Sequence, residues 1–267
     1  GCSGSKTSEP AGSDVGSAKA SSKKETVELQ VFAANSLEKA LPEVQELYTD
    51  QTGTTFADTQ FKASGDLVEQ MKAGATVDVL ITASKGTMDD AETAELVDTD
   101  TREDMFVNDL VIIRAEGSDT KVEAIADVAN LDGKIAIGDA KTVPAGKYAN
   151  QALASVGLYT GTEGDDGEYA PELADKVALA DKVGTAASYV STGDCVAGFV
   201  YSSDIFRYDG IEEAFVCPED SHKPIVYPGA VADSSEHADE AKAFIDFCLT
   251  NKKAQKIWAK YGFELSE

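Results

Sequence analysis

Several residue types are scarce in this 267-residue chain, and each shortage closes off a class of chemistry. There are two histidines, His222 and His237, and they do not form a His-x-x-Glu-His or similar pair. A zinc site or a histidine-based catalytic triad is therefore a poor starting point. Positive charge is also short: 23 Lys and Arg stand against 48 Asp and Glu, a formal net charge of −25. A nucleic-acid binder needs a basic surface to displace counterions from phosphates, and attachment to an anionic membrane needs the same, so both are excluded as general functions. No apolar run approaches the roughly 20 residues of a membrane span. The acidic clusters Asp98–Asp104 and Glu163–Glu168 lack the EF-hand spacing and read as solvated loops.

The hydrophobic fraction, 42%, is ordinary for a globular protein. The chain is long enough for a sizeable core. Residues 1–25 stand apart: between Cys2 and Val27 there is no Leu, Ile, Phe, Tyr or Trp. Such a stretch cannot bury enough apolar surface to offset its ordering entropy, and it reads as a disordered tether. Gly1-Cys2 at its head resembles the end of a bacterial lipobox, in which the Cys becomes the lipidated first residue. The alternative is an incidental Cys. Lipidation implies export to the outer face of the cell membrane, or the periplasm, where disulfides are allowed. Of the other cysteines, Cys195 and Cys217 flank apolar runs and form the preferred pair. The alternative is three buried thiols at Cys195, Cys217 and Cys248.

Past the tether, Val27, Leu29 and Val31 alternate with polar residues as in a strand. Leu37, Ala40, Leu41, Val44, Leu47 and Tyr48 then recur at helical spacing, with Pro42 delaying or kinking the helix start. Leu67, Val68 and Met71 open a second amphipathic helix, with Gly74 as its stop. Val77–Thr82, Leu110–Ile113, Lys134–Ile137, Gly198–Tyr201 and Ala214–Val216 are short apolar runs suited to buried parallel strands. The last forty residues look helical. Strands alternating with helices indicate an α/β fold, and about 240 residues suit two lobes better than one sheet.

Ligands of open α/β sheets bind at the carboxyl ends of strands, where helices begin. Three loops there have small residues that let backbone approach a ligand: Ala33-Ala34-Asn35-Ser36, Lys62-Ala63-Ser64-Gly65 and Val143-Pro144-Ala145-Gly146. A helix start offers unpaired N–H groups and a partial positive charge, which with a Ser hydroxyl makes an anion site. Ser36 and Ser64 could equally cap their own helices.

VFAANSLEKAL (Val31 to Leu41), FKASGDLVEQMKAGATVDVLITAS (Phe61 to Ser84) and IAIGDAKTVPAGKYANQAL (Ile135 to Leu153) resemble, in order and spacing, motifs of the periplasmic molybdate-binding proteins of ABC importers. GFVYSSD (Gly198 to Asp204), PEDSH (Pro218 to His222) and YGF (Tyr261 to Phe263) complete the series. The resemblance spans Val27 to Phe263. It implies a two-lobed periplasmic-binding-protein fold, each lobe a mostly parallel sheet flanked by helices, with a tetrahedral oxoanion in the cleft. The lobes would comprise residues 26–107 and 228–267 for the first and 108–227 for the second, with crossings near Val107 and Tyr227. By motif position, Ser36 and Ser64 hydroxyls, Ala145 and Val183 amides and the Tyr201 hydroxyl would bind the anion. Departures from the family pattern are Asn35 where a small residue is usual, Lys62 near the second loop, and Ser84 where an acidic residue is common.

The implied function is a lipid-anchored, monomeric receptor that hands molybdate or tungstate to an ABC permease, with no resident cofactor and no other metal. Neutral donors favour a fully deprotonated oxoanion, which disfavours phosphate; sulfate would be rejected by size. Two other readings stay open. One is the same fold binding sulfate or another small anion. The other is an exported hydrolase with Ser36 or Ser64 as nucleophile, although no Gly-x-Ser-x-Gly elbow occurs.

Overall fold

The computed structural model describes residues 26–266. The tether and Cys2 lie outside the described residues. Two sheets organise the chain. The first has six strands in the order β13-β6-β12-β5-β2-β4: Glu264–Leu265, Glu103–Asn108, Ile225–Val231, Val79–Ile81, Val31–Ala34 and Gln60–Lys62. The second has five in the order β9-β8-β10-β7-β11: Val177–Ala180, Ile135–Gly138, Ala197–Tyr201, Leu110–Ala115 and Ile211–Val216. A two-stranded ribbon, β1 (Glu28–Leu29) with β3 (Thr55–Phe56), completes the β structure. The sheets are mixed: β2 runs parallel to β4 and β5, and β8 parallel to β9 and β10, while β12 and β7 pair antiparallel with their neighbours.

The inner strands of the first sheet, β2, β5 and β12, are buried on both faces, which explains their apolar runs. In β2, Val31 and Ala33 join the main core while Phe32 faces a second cluster; in β5, Val79 and Ile81 divide from Leu80 in the same way. Helices α2 (Ser64–Lys72) and α3 (Lys85–Thr93) supply Leu67, Val68, Met71 and Met88 to that second cluster. On the other face lie α1 (Ala40–Thr52), α8 (Ala238–Thr250) and α9 (Lys252–Lys260), with Leu41, Val44, Phe244 and Trp258 in the main core. In the second lobe come α4 (Pro144–Ala154), the short α5 (Pro171–Ala174), α6 (Val183–Ser191) and α7 (Ser202–Arg207).

Local chemistry explains where elements begin and end. The first expected strand is broken at Gln30, whose N–H donates to Asp78 Oδ2 at 2.7 Å instead of to a neighbouring strand. Residues Asn35–Leu37 form a 3-10 turn, and α1 starts only at Ala40, so Pro42 sits in its first turn where no intrahelical bond is lost. Gly74, at φ 102°, follows the end of α2 and donates to the Met71 carbonyl.

Three expectations need correction. The chain leaves the first sheet between Asn108 and Leu110, but it returns between Val216 and Ile225, because β12 already pairs with β6 from Ile225. The expected return near Tyr227 lies two residues into that strand, whose start Pro228 and a register shift disguise in the sequence. The Asp98–Asp104 cluster is not all solvated loop: Glu103 and Asp104 open β6, whose Met105 and Phe106 are buried. Cys195 and Cys217 are not disulfide-bonded; with Cys248 they are free, buried thiols. Burial raises all three, Cys217 to about 12, so none is a reactive thiolate.

Candidate functional site

Ser36, Ser64, Ala145, Val183 and Tyr201 line one small cavity between the sheets. From the first lobe it receives the end of β2 and residues that follow β2, β4 and β5, Ala83 lying two positions past β5; from the second, the starts of α4 and α6 and the end of β10. No charged side chain lines it. Lys62 is not among its lining residues either.

Neither serine caps a helix. The N-cap positions of the 3-10 turn and of α2 are Ala34 and Ala63, without side-chain caps. Ser64 Oγ instead accepts the Ala83 N–H at 2.9 Å, which leaves its own proton free to point into the cavity. Ser36 Oγ lies 2.7 Å from the Tyr227 hydroxyl, and Asn108 Nδ2 donates to that hydroxyl at 3.3 Å. If Tyr227 accepts from Asn108 and donates to Ser36, the Ser36 proton is also free for a ligand. Neither serine has an imidazole partner, so the geometry offers no base for a serine nucleophile.

The second lobe presents backbone. Ala145 and Val183 stand in the first turns of α4 and α6, where no intrahelical carbonyl reaches their N–H groups. The N-cap residues Val143 and Lys182 make no side-chain cap, and neither helix has an acidic residue in its first turn. The Gly-Asp…Val-Pro-Ala-Gly motif has a steric basis. Pro144 opens the helix, and a Cβ on Gly146 would sit 1.9 Å from the Gly138 carbonyl oxygen, so only glycine lets the start of α4 lie against the end of β8.

Tyr201 completes the ring. Its side chain is buried, and its hydroxyl is the one buried side-chain polar atom without a hydrogen-bond partner among the described residues. Burial, with Tyr227 and Tyr148 nearby, pushes this phenol well above 10, so it stays an O–H donor in neutral water. A buried donor left unpaired costs about 1–3 kcal/mol, a penalty that a ligand acceptor relieves. Two serine hydroxyls, two helix-start amides and one phenol thus converge on a small space with no full charge. That set suits an anion without its own protons.

Sequence reasoning passed over the residues that hold this ring. Tyr227 and Asn108 fix Ser36; Tyr148 donates to the Ala83 carbonyl across the cleft at 3.2 Å; Asn35 Oδ1 accepts the Gly184 N–H, also across the cleft, at 3.0 Å. Asn35 had a signal, as a departure from a small-residue pattern. The others are ordinary polar residues until folding brings them together.

Residues 29–264 match the family described as bacterial extracellular solute-binding protein. The chain belongs to that family. Among relatives of this solute-binding protein, the molybdate-binding protein ModA of Escherichia coli is 33% identical over 242 residues, 89% of each chain. The putative ABC transporter substrate-binding lipoprotein YvgL of Bacillus subtilis is 31% identical over 89% of this chain and 86% of its own. The solved substrate-binding domain of a putative molybdenum ABC transporter from Clostridium difficile superposes with a TM-score of 0.66 at 33% identity, covering 91% of this chain and all of that one. The two-lobed α/β architecture is therefore that of its relatives. These relatives are described as substrate-binding proteins of transport rather than as enzymes. Among the described residues, no helix is long and apolar enough to cross a membrane and no cluster of His, Cys, Asp or Glu is arranged to hold a metal ion.

Proposed function

We propose that this solute-binding protein is the receptor for a tetrahedral oxoanion of the molybdate and tungstate class and delivers it to an ABC permease. The observation that carries the reading is the unpartnered Tyr201 hydroxyl, buried and facing a cavity whose other polar groups are neutral donors. Ser36, Ser64, Ala145, Val183 and Tyr201 are the proposed ligand groups, and the ligand itself is cargo rather than cofactor. The names of the relatives support the substrate class.

A net charge of −25 does not oppose this role. At physiological salt the Debye length is about 8 Å, so distant surface carboxylates are largely screened. Fixed N–H and O–H dipoles in a dry site set the local field, and they favour an oxoanion with no proton of its own. Phosphate, partly protonated at neutral pH, would set an O–H against a donor. Sulfate has the right charge but a smaller radius. Molybdate and tungstate are close in size, and both are expected to bind. Cys2, outside the described residues, is the proposed lipid attachment point, and the protein is proposed to act as a monomer at the outer face of the membrane. The tether composition and the lipoprotein relative support that part.

The test is thermal unfolding with molybdate, tungstate, sulfate and phosphate in parallel at equal ionic strength. A ligand at about 1,000 times its dissociation constant stabilises the folded state by about 4 kcal/mol, a rise of roughly 8–16 °C for a chain of this size. Large shifts with molybdate and tungstate alone are expected. An equal sulfate shift would change the substrate, and no shift with any of the four would overturn the reading.

A further inference from the structure

The two lobes are joined beside the cavity by a buried arginine. Arg207 ends α7 in the second lobe, and its side chain is 2% exposed. A guanidinium has five N–H donors, and here each has an acceptor. Nε and one Nη2 proton go to Asp204 Oδ1 in its own lobe, at 3.0 and 2.9 Å. The other three cross to the first lobe: Nη1 donates to the Asn35 carbonyl at 2.8 Å and to Glu38 Oε1 at 2.7 Å, and Nη2 reaches Asn35 Oδ1 at 3.4 Å.

These contacts touch the ligand ring from both sides. Asn35 immediately precedes Ser36, and its Oδ1 also accepts the N–H of Gly184, next to Val183. Asp204 Oδ2 accepts the N–H of Tyr201 at 2.9 Å. One network therefore runs from Tyr201 through Asp204, Arg207 and Asn35 to the residue beside Ser36. Tyr208 closes it: its ring lies 4.2 Å from the guanidinium carbon and its hydroxyl donates to Glu38 Oε1 at 3.2 Å. The approach is tight, since a Cβ on Gly184 would meet Tyr208 Oη at 2.2 Å and Asn35 Oδ1 at 2.8 Å.

We propose that Arg207, Asn35 and Glu38 form an inter-lobe latch that stabilises the closed cleft and sets how slowly the bound anion leaves. The link to anion release rests on the receptor reading above; the link to closure does not. Opening the lobes would strip three of Arg207's five hydrogen bonds while leaving Asp204 in place, so the arginine keeps a counter-charge in either state. Glu38 is about one-third exposed and rehydrates readily, which makes the latch releasable. A bond broken only on opening raises the barrier to release without touching encounter, so it acts on koff more than on kon. Raising the closed population also raises apparent affinity.

Arg207→Ala would strand the buried Asp204 and disturb folding, so the informative variants are Glu38→Ala and Asn35→Ala. Stopped-flow measurement of molybdate binding should show koff rising by about tenfold in each, with kon within about twofold of the parent. Glu38 does not line the cavity, so its effect is free of direct ligand contact. Independently of any ligand, spin labels at Asp50→Cys and Glu172→Cys, exposed positions on the two lobes, report the inter-lobe distance. Both variants should shift the ligand-free distribution to longer distances. Unchanged koff and unchanged distances in both would overturn the latch even though the parent binds molybdate. A distance shift in a protein that binds no oxoanion would retain the closure latch and remove the receptor reading.

Discussion

Two kinds of helix start occur in this protein. At α3, Ser84 Oγ accepts the Thr87 N–H at 3.0 Å, and the helix start is finished. At α2, α4 and α6, the N-cap positions Ala63, Val143 and Lys182 supply no side-chain cap. The capped start lies at the cleft's edge; residues from the three uncapped ones line one buried cavity. In sequence, Ser64 and Ser84 look alike, each a serine at the head of a helix. The difference is where the hydroxyl is spent: Ser84 serves its own helix, whereas Ser64 accepts from the Ala83 backbone and keeps its proton for something else. Helix starts left uncapped around a closed space are a stronger sign of a ligand than any single serine.

The largest break in this contrast should come from Gly146→Ala. The new methyl would collide with the Gly138 carbonyl and push the uncapped start of α4 off the end of β8. We expect a loss of about 1–3 kcal/mol of folding stability, read by denaturant unfolding, together with loss of anion binding by calorimetry. Next come the donors themselves. Tyr201→Phe and Ser64→Ala should each weaken molybdate binding by roughly 1–3 kcal/mol. Tyr201→Phe should leave the ligand-free protein as stable or slightly more so, because it removes an unpaired buried hydroxyl; unchanged affinity in both variants would sink the site assignment and spare the fold. Tyr227→Phe, which removes the hydroxyl that orients Ser36, should cost about 1 kcal/mol of affinity.

Ser84→Ala is the counter-experiment: about 1 kcal/mol of stability lost with the cap, and no change in affinity. The smallest effect concerns pH. Burial raises Tyr201 well above its ordinary value, so its donating form is present below that raised pKa and lost only as pH climbs through it. Affinity for an unprotonated oxoanion should therefore be flat from about pH 6 to 9, measured by calorimetry across buffers. A fall in that range would mean that a titrating group, not fixed dipoles, holds the ligand.

The chain's local chemistry determined much of this in advance. Apolar runs too short for helices placed β5, β7, β8 and β10, because strands buried on both faces need no alternation. Pro144 marked the start of α4, because proline loses nothing there, and the glycine two residues on marked a close approach. The order and spacing of these motifs carried the family resemblance, and with it the five lining residues. Strand β12 was hidden, because Pro228 reads as a strand breaker and only pairing across a register shift accommodates it. Cysteine proximity was equally invisible, since flanking sequence says nothing of where two thiols end up. The support of the ring was decided by tertiary structure alone. Asn108 meets Tyr227, Tyr227 meets Ser36 and Arg207 meets Asn35 across 119 to 191 positions of sequence, and a hydrogen bond has no reach along the chain by which local composition could announce it. Whether a serine is a cap or a ligand, and whether an arginine is a surface charge or a buried clasp, depends on which partner folding places within about 3 Å.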